Sequence, residues 1–267
     1  MDAPQFTPLL TYQGQFLVPA LLLAGLFAVR YLVLAGLAFA FWYWPWRTRE
    51  RAGKLQRAAP SWRQVAREIG WSAVAVLVFG AITGLISAAG LVPHTRLYRE
   101  IAQFGWAYFW LSIPVMLVLH DTWFYWTHRL MHHPALFRYV HRVHHLSTNP
   151  TPWTAYAFHP VESIVQGLGV VAIVFVVPVH PLAVIVFQTL STAVNVYGHS
   201  GYELYPRGWA AHRFGRWLNT SVAHNAHHAT ARHNYGLYFL AWDRWMGTID
   251  PAYAARYAQA RAPVAPA

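Results

Sequence analysis

The 267-residue chain is 56% hydrophobic and 11% charged, against about 25% charged for ordinary soluble domains. That balance excludes a soluble globule and defines a polytopic membrane protein, with 14 Trp and 15 Tyr suited to membrane-interface belts. The net charge of +11 does not mark a nucleic-acid partner: Lys54 is the only lysine, and the arginines flank apolar segments, where they suit anionic headgroups.

Residues 1–14 are short and polar and are expected to lie at one surface. No basic n-region or cleavage site precedes the first apolar segment, which is therefore expected to be retained. From Gln15 to Trp44 the chain is apolar except for Arg30. A helix of that length would run about 45 Å, longer than a hydrocarbon core of about 30 Å. Either it tilts and overhangs, or Arg30 marks an interfacial break; Arg30 is expected to snorkel or break the helix, ahead of pairing with a buried carboxylate. The following stretch, RTRERAGKLQRAAPSWRQVARE, carries Arg47, Arg49, Arg51, Lys54, Arg57, Arg63 and Arg67, and this most basic loop predicts the cytoplasmic side.

Trp71–Val92 predicts a second span and Gly105 to about Tyr125 a third, returning to the side of the basic loop. Val161–Val179 and Leu182–Gly198 form two short apolar runs around His180-Pro181, a helical hairpin. Residues 201–251 read as an aromatic, Arg-rich cytosolic cap. The fold expected is all-α: about three transmembrane helices, a helical hairpin and a cytosolic, His-rich helical cap. It forms a single membrane-embedded domain, divided into N-terminal spans and basic loop (1–104), a catalytic region (105–250) and a flexible tail (251–267).

Seven of the sixteen histidines fall between His120 and His145, and a second cluster, HNAHHATARH, runs from His224 to His233. The predicted topology delivers both to one side. On a helix, positions i, i+3, i+4 and i+7 share a face. Asp121, Tyr125, His128 and His132 form one such stripe; His141, His144 and His145 form another; His224, His227 and His228 form a third. A lone histidine here would be read as an interfacial or core residue. Three His-paired faces on one side point instead to metal, because neutral imidazole is the commonest metal ligand. Eight or nine imidazoles exceed the four ligands of one structural zinc site, so two ions are expected. Imidazole suits zinc, copper, iron and nickel alike, and the absence of cysteine excludes thiolate ligands. Among the scarce carboxylates, Asp121 and Glu203 are the first candidates to accept the second ring N–H of a ligating histidine, with Glu162 and Asp243 behind them. Pairing of Asp243 with Arg244 and of Glu203 with Arg207 is the alternative.

HRLMH, HRVHH and HNAHH resemble the three histidine boxes of the fatty acid hydroxylase/sterol desaturase superfamily of membrane di-iron enzymes. DTWFYWTHRLMHH resembles that family's first-box signature, NPTPWTAYAFHPVE the stretch after the second box, and HHATARHNYGLYFLAWDRWMGT its close. Within the superfamily, PTP, AFHP and PVHP look most like sterol C5-desaturases. The resemblance covers roughly residues 105–250 and implies metal ligands at His128, His132, His141, His144, His145, His224, His227 and His228, with His199 as a further ligand after the hairpin. Asn195 stands where some members carry histidine, which puts one ion's coordination number in question. His133 is a competitor for the role of His132, and His159 is expected to support the site or the fold. His120, His212 and His233 are candidates to orient the site, while His94 and His180 fall on the wrong side.

The resemblance further implies two non-haem iron ions, with zinc as a substitute ion, and O2 as co-substrate. It implies an external electron donor of cytochrome b5, ferredoxin or reductase type, and a lipid substrate in the membrane. The expected activity is desaturation or hydroxylation of a sterol-like or isoprenoid C–H. A fatty-acyl, alkyl-lipid or carotenoid hydroxylase with the same boxes is the alternative. A metal transporter would place its ligands in mid-membrane, and a bis-His haem protein would need histidine pairs facing each other inside the bilayer; the clusters here lie beyond the spans.

Overall fold

The computed structural model describes residues 14–43, 53–56 and 58–262; Arg47, Arg49, Arg51, Arg57 and residues 1–13 lie outside that set. Ten helices are built from the described residues: α1 (Leu17–Tyr43), α2 (Trp62–Ala88), α3 (Gly105–Met131), α4 (Pro134–Val140), α5 (Arg142–His145), α6 (Pro160–Val176), α7 (Pro181–Gly198), α8 (Ser221–Thr230), α9 (Ala241–Trp245) and α10 (Tyr253–Ala260). The protein is an all-α, polytopic membrane protein. The helices long and apolar enough to cross a membrane are α1, α2 and α7, with α6 a shorter apolar helix. The segment expected to be the third span lies in α3, which is as long as α1. It falls outside the apolar set because Trp and Tyr crowd its first half and His120 and Asp121 interrupt its second.

The spans alternate in direction and give the bundle two ends. At the far end, Gly14 donates to the Ser87 carbonyl and Arg96 to that of Val174. At the near end, the Tyr43 hydroxyl donates to the Ser200 carbonyl, and the Gln56 amide reaches both the Pro150 carbonyl and Asn225. All three histidine boxes lie at this near end, together with residues 53–56.

α1 and α2 pack along a seam of small residues. A Cβ on Gly80 would stand 2.5 Å from the Ala20 carbonyl oxygen, and one on Gly84 2.6 Å from that of Phe16. Only glycine allows that backbone approach, the usual basis of close helix packing where lipid supplies no hydrophobic drive. Arg30 departs from every expectation placed on it. It neither breaks α1 nor snorkels nor meets a carboxylate; it is buried, lies over the Phe27 ring and donates to the Thr192 hydroxyl at 3.1 Å. A guanidinium carries five donors in a fixed fork, so a hydroxyl on α7 satisfies part of it.

α2 begins nine residues before Trp71, because Ser61 caps it by accepting from the Gln64 amide. Arg63, Arg67 and Glu68 are therefore helical and not part of the basic loop. The tail expected to be flexible from residue 251 instead begins with α10. Its Tyr253 and Tyr257 are buried in the cap core with Val222, Ala223 and Leu240, a period-four pair that the low-complexity ending RAPVAPA masks.

Candidate metal centre

The near end of α3 carries His128 and His132 one turn apart. Pro134 opens α4 at once, with His133 capping it through the Ala135 amide. The turn into α5 then brings His141, His144 and His145 back over α3. α7 ends at His199. α8 starts at Thr220, whose hydroxyl accepts from the Ala223 amide, and ends at Ala231 in the left-handed region, so the third box is a rigid ten-residue helix.

All nine histidines expected as ligands are gathered, in two sets. The ring nitrogens of His128, His132, His141, His145 and His227 lie within 4.8 Å of one another, and so do those of His144, His199, His224 and His228. The sets adjoin, with His145 and His228 rings stacked at 4.9 Å. Every one of the nine except half-buried His132 is buried.

Hydrogen bonding decides which way the lone pairs point. The Nδ1–H of His128 donates to the Tyr235 carbonyl at 2.8 Å, that of His199 to Asn195 at 2.7 Å, that of His227 to His233 at 2.6 Å and that of His228 to Ser147 at 3.0 Å. His141 Nδ1 meets the Glu162 carboxylate at 2.7 Å. A carbonyl can only accept, so His128, His199, His227 and His228, when neutral, each present a bare Nε2 lone pair to their set, and His141 does the same where the Glu162 carboxylate accepts from its Nδ1. His128 and His141 then face each other Nε2 to Nε2 at 3.0 Å, and His199 faces His228 at 3.0 Å.

Burial, followed by the neighbouring imidazoles, holds His141, His144, His145, His224, His227 and His228 well below the ordinary histidine range. They stay neutral. Lone pairs aimed at lone pairs across 3 Å, without protons between them, repel; a cation at the centre of each set removes the conflict. The donors are all nitrogen, as iron or zinc accepts, and the residues fit two ions.

The two carboxylates singled out from the sequence do something else. Asp121 accepts the backbone amides of Leu237, Tyr238 and Phe239 at 3.1, 2.7 and 3.2 Å and so clamps the loop after the third box. Glu203 accepts from the Tyr197 hydroxyl and from the Tyr205 and Val222 amides, anchoring the start of α8. Neither hydrogen-bonds to a ligating ring. Glu162 takes that role, and Asp243 receives the Tyr235 and Gly236 amides.

Glu68, not singled out from the sequence, is also part of the support. It is buried on α2 and accepts from the hydroxyls of Ser147 (2.7 Å) and Thr151 (2.5 Å); Ser147 is the residue whose carbonyl holds His228. Only its burial in the structure marks it; in the sequence it reads as one acid in a basic loop. Asn195 does not turn toward either histidine set: its amide donates to the Ala155 carbonyl at 2.7 Å. His159 and His180 cap α6 and α7, as His133 caps α4. His120 donates to the Tyr238 hydroxyl at 2.8 Å, His212 stacks on Trp209, and His233 holds His227 through its carbonyl.

Behind the centre lies a cavity in two chambers. The inner one, about 110 Å³, is bounded by Phe124, Phe158, Gln166, Ser191 and Asn195 among others. Phe124 and Phe158 also contact the ligand rings of His128 and His144, at 4.9 and 5.2 Å between centroids. The outer chamber, about 320 Å³, opens toward the far end between α1, α2, α6 and α7 and is almost wholly apolar. Phe27, Thr83, Val170, Val171 and Gln188 line both.

An all-α membrane bundle with nine histidines gathered at one end and an apolar cavity behind them defines a class of membrane-embedded polyhistidine proteins with candidate metal sites. The sequence profile of the fatty acid hydroxylase family matches residues 113–248, and the chain belongs to that family. It is 31% identical to Delta(7)-sterol 5(6)-desaturase ERG3B of Gibberella zeae, over 72% of this chain and 60% of the relative. With the lathosterol oxidase of Rattus norvegicus it shares 33% identity over 70% of this chain and 61% of the relative. With Delta(7)-sterol 5(6)-desaturase erg3C of Aspergillus fumigatus it shares 31% over 72% and 67%. The chain thus spans about 60% of the length of the first two. No solved structure matches it.

Proposed function

We propose that this chain is a membrane-bound, O2-dependent oxidoreductase in which the nine histidines hold two iron ions and a lipid C–H is desaturated or hydroxylated. The substrate class is sterol-like or isoprenoid. The observation that carries this reading is the pair of imidazole sets, each with its ring nitrogens within 4.8 Å of one another, beside an apolar cavity. The activities for which the relatives are named, sterol desaturation and lathosterol oxidation, support the substrate class.

Bound iron would supply the reduction of O2 to an oxidant able to attack an unactivated C–H. The protein's own part is preorganisation. Glu162 and the four backbone carbonyls fix ring tautomers and aim Nε2 inward. The carboxylate beside His141 raises that ring's basicity as a ligand. Phe124 and Phe158 keep water from the chamber side, and the cavity holds the target carbon in register, which converts an encounter into an oriented approach. Hydroxylation consumes R–H, O2, two electrons and two protons and gives R–OH and one water. Desaturation consumes the same O2, electrons and protons, removes two neighbouring hydrogens, and gives an alkene and two waters.

The electrons are supplied by a separate donor of cytochrome b5, ferredoxin or reductase type. The near end faces the cytoplasm in this reading, since the arginines flanking α1 and α2 there follow the positive-inside bias. The test is metal analysis of the purified chain together with lipid profiling of cells that lack it. Two irons per chain and an accumulated saturated precursor are expected. One zinc per chain without any oxidised lipid product would sink the proposal.

A further inference from the structure

We propose that Gln166 anchors a substrate hydroxyl in the inner chamber, so that the lipid taken is an alcohol bound hydroxyl-end first, with its hydrocarbon in the outer chamber. This rests on the reading that the cavity is a substrate site. Gln166 is 6% exposed, lines the inner chamber, and neither its amide nitrogen nor its amide oxygen has a hydrogen-bond partner. A buried amide with both ends unmet is costly and rare in a native interior.

Apart from Gln188, a half-buried amide at the junction with the outer chamber, the other polar groups of the chamber are engaged. His120 donates to Tyr238, which donates to Ser191; Asn195 donates to Ala155; Tyr156 meets Thr192; Thr83 donates to Phe79. Gln166 stands one helical turn beyond Glu162, the residue on His141, and on the same face of α6. Its free amide therefore lies about one helical turn from the Glu162–His141 pair.

The chemistry of the amide selects the ligand. An amide with a free donor and a free acceptor side by side is matched by a hydroxyl, which donates to Oε1 and accepts at Nε2. A carboxylate only accepts, and would set its oxygens against Oε1; an ether or ketone leaves Oε1 unmet. Arg30 and Gln188 border the outer chamber, but its accessible surface is almost wholly apolar, so the hydrocarbon goes there. Along α7 the cavity lining runs from Pro181 to Asn195, about 21 Å at 1.5 Å per residue, room for an elongated amphiphile. The consequence is regiochemical: the C–H nearest the ions belongs to the hydroxyl-bearing end of the lipid, not to its tail.

The test is equilibrium binding, without reductant, to the full chain in nanodiscs. The probes are a radiolabelled 3-hydroxysterol, its 3-methyl ether and its 3-deoxy counterpart, with hexadecan-1-ol and its methyl ether as a linear-chain arm. Wild type is expected to bind at least one alcohol about tenfold more tightly than its ether, the scale of one buried hydrogen bond. Gln166→Leu should bring that ratio within twofold and leave deoxysterol affinity unchanged, an effect that a general loss of structure does not mimic. Gln166→Met serves if the leucine variant misfolds, and the wild-type comparison needs no variant at all. Equal binding of alcohol and ether in both arms, or a preference that survives in the variant, overturns the proposal. Because no turnover is needed, a protein that binds alcohols through Gln166 but oxidises nothing rejects the enzymatic reading alone. One that oxidises its lipid with an unaltered alcohol preference in Gln166→Leu rejects this subsite alone.

Discussion

At the scale of the residue, the centre is defined less by its nine rings than by what holds their far nitrogens. Glu162 is the one carboxylate that does so, and Glu162→Gln keeps an acceptor but removes the charge. Iron affinity, measured by chelator competition, is expected to fall about 10- to 100-fold, the usual effect of losing such a partner; an unchanged affinity would remove Glu162 from the site. His227→Ala and His144→Ala strike different sets, so each should reduce iron from two to about one per chain while membrane insertion persists. Metal analysis of the two variants checks the partition.

That the nine histidines gather was legible, since box spacing states which rings share a helical face. Their partners were not. Asp121 and Glu203 sit near the boxes in sequence, yet both are spent on backbone amides, while Glu162 arrives from a helix whose position only tertiary packing sets. The capping role of His133, His159 and His180 was legible in principle, because each precedes a proline and Pro at the first helical position favours a side-chain cap before it.

At the scale of the element, the apolar runs predicted the spans well and their ends poorly. α2 starts early because Ser61 caps it, a local signal that the arginines around it obscured. Ser61→Ala should cost about 1 kcal/mol of stability, with a small fall in the unfolding midpoint. Gly84→Leu is a harsher change: its Cβ would press on a backbone carbonyl, which cannot swing aside. Overpacking of this kind costs about 1–3 kcal/mol, and the thermal midpoint of the purified protein should fall more than for Ser61→Ala. Equal midpoints for the two variants would show that the α1–α2 seam can open without penalty. Hydrophobicity alone does not encode such a seam, since the same glycines would read as neutral filler in any apolar run.

At the scale of the whole molecule, the centre joins four stretches of chain, so metal and fold are linked. Anything bound by the native state alone stabilises it, and removing the ions with a chelator should lower the unfolding midpoint reversibly. Acid should act in the same direction on the metal-free protein. The six histidines outside the spans have folded-state values depressed far below 6.5, so on unfolding below that pH they take up protons that the folded state refuses. Stability is then fully present above about pH 6.5 and is lost as pH falls beneath it. Unfolding midpoints of the chelated protein at pH 8 and pH 5.5 measure this; equal values would mean that the rings are not buried as described.

Glu68 bears on modularity. The stretch matched by the family profile starts at residue 113, which invites the idea of a portable catalytic cassette preceded by interchangeable anchors. Yet Glu68, on the second helix, receives the hydroxyls of Ser147 and Thr151, and Tyr31, on the first, donates to the Trp153 carbonyl at 2.6 Å. A chain begun at residue 105 would keep all nine ligands and lose the acceptor that fixes the strip behind His228. Grafting the anchors of another family member onto this cassette should therefore succeed only where the donor carries a carboxylate at the matching turn. The early helices are less a mooring than one wall of the mould that shapes the four-histidine set.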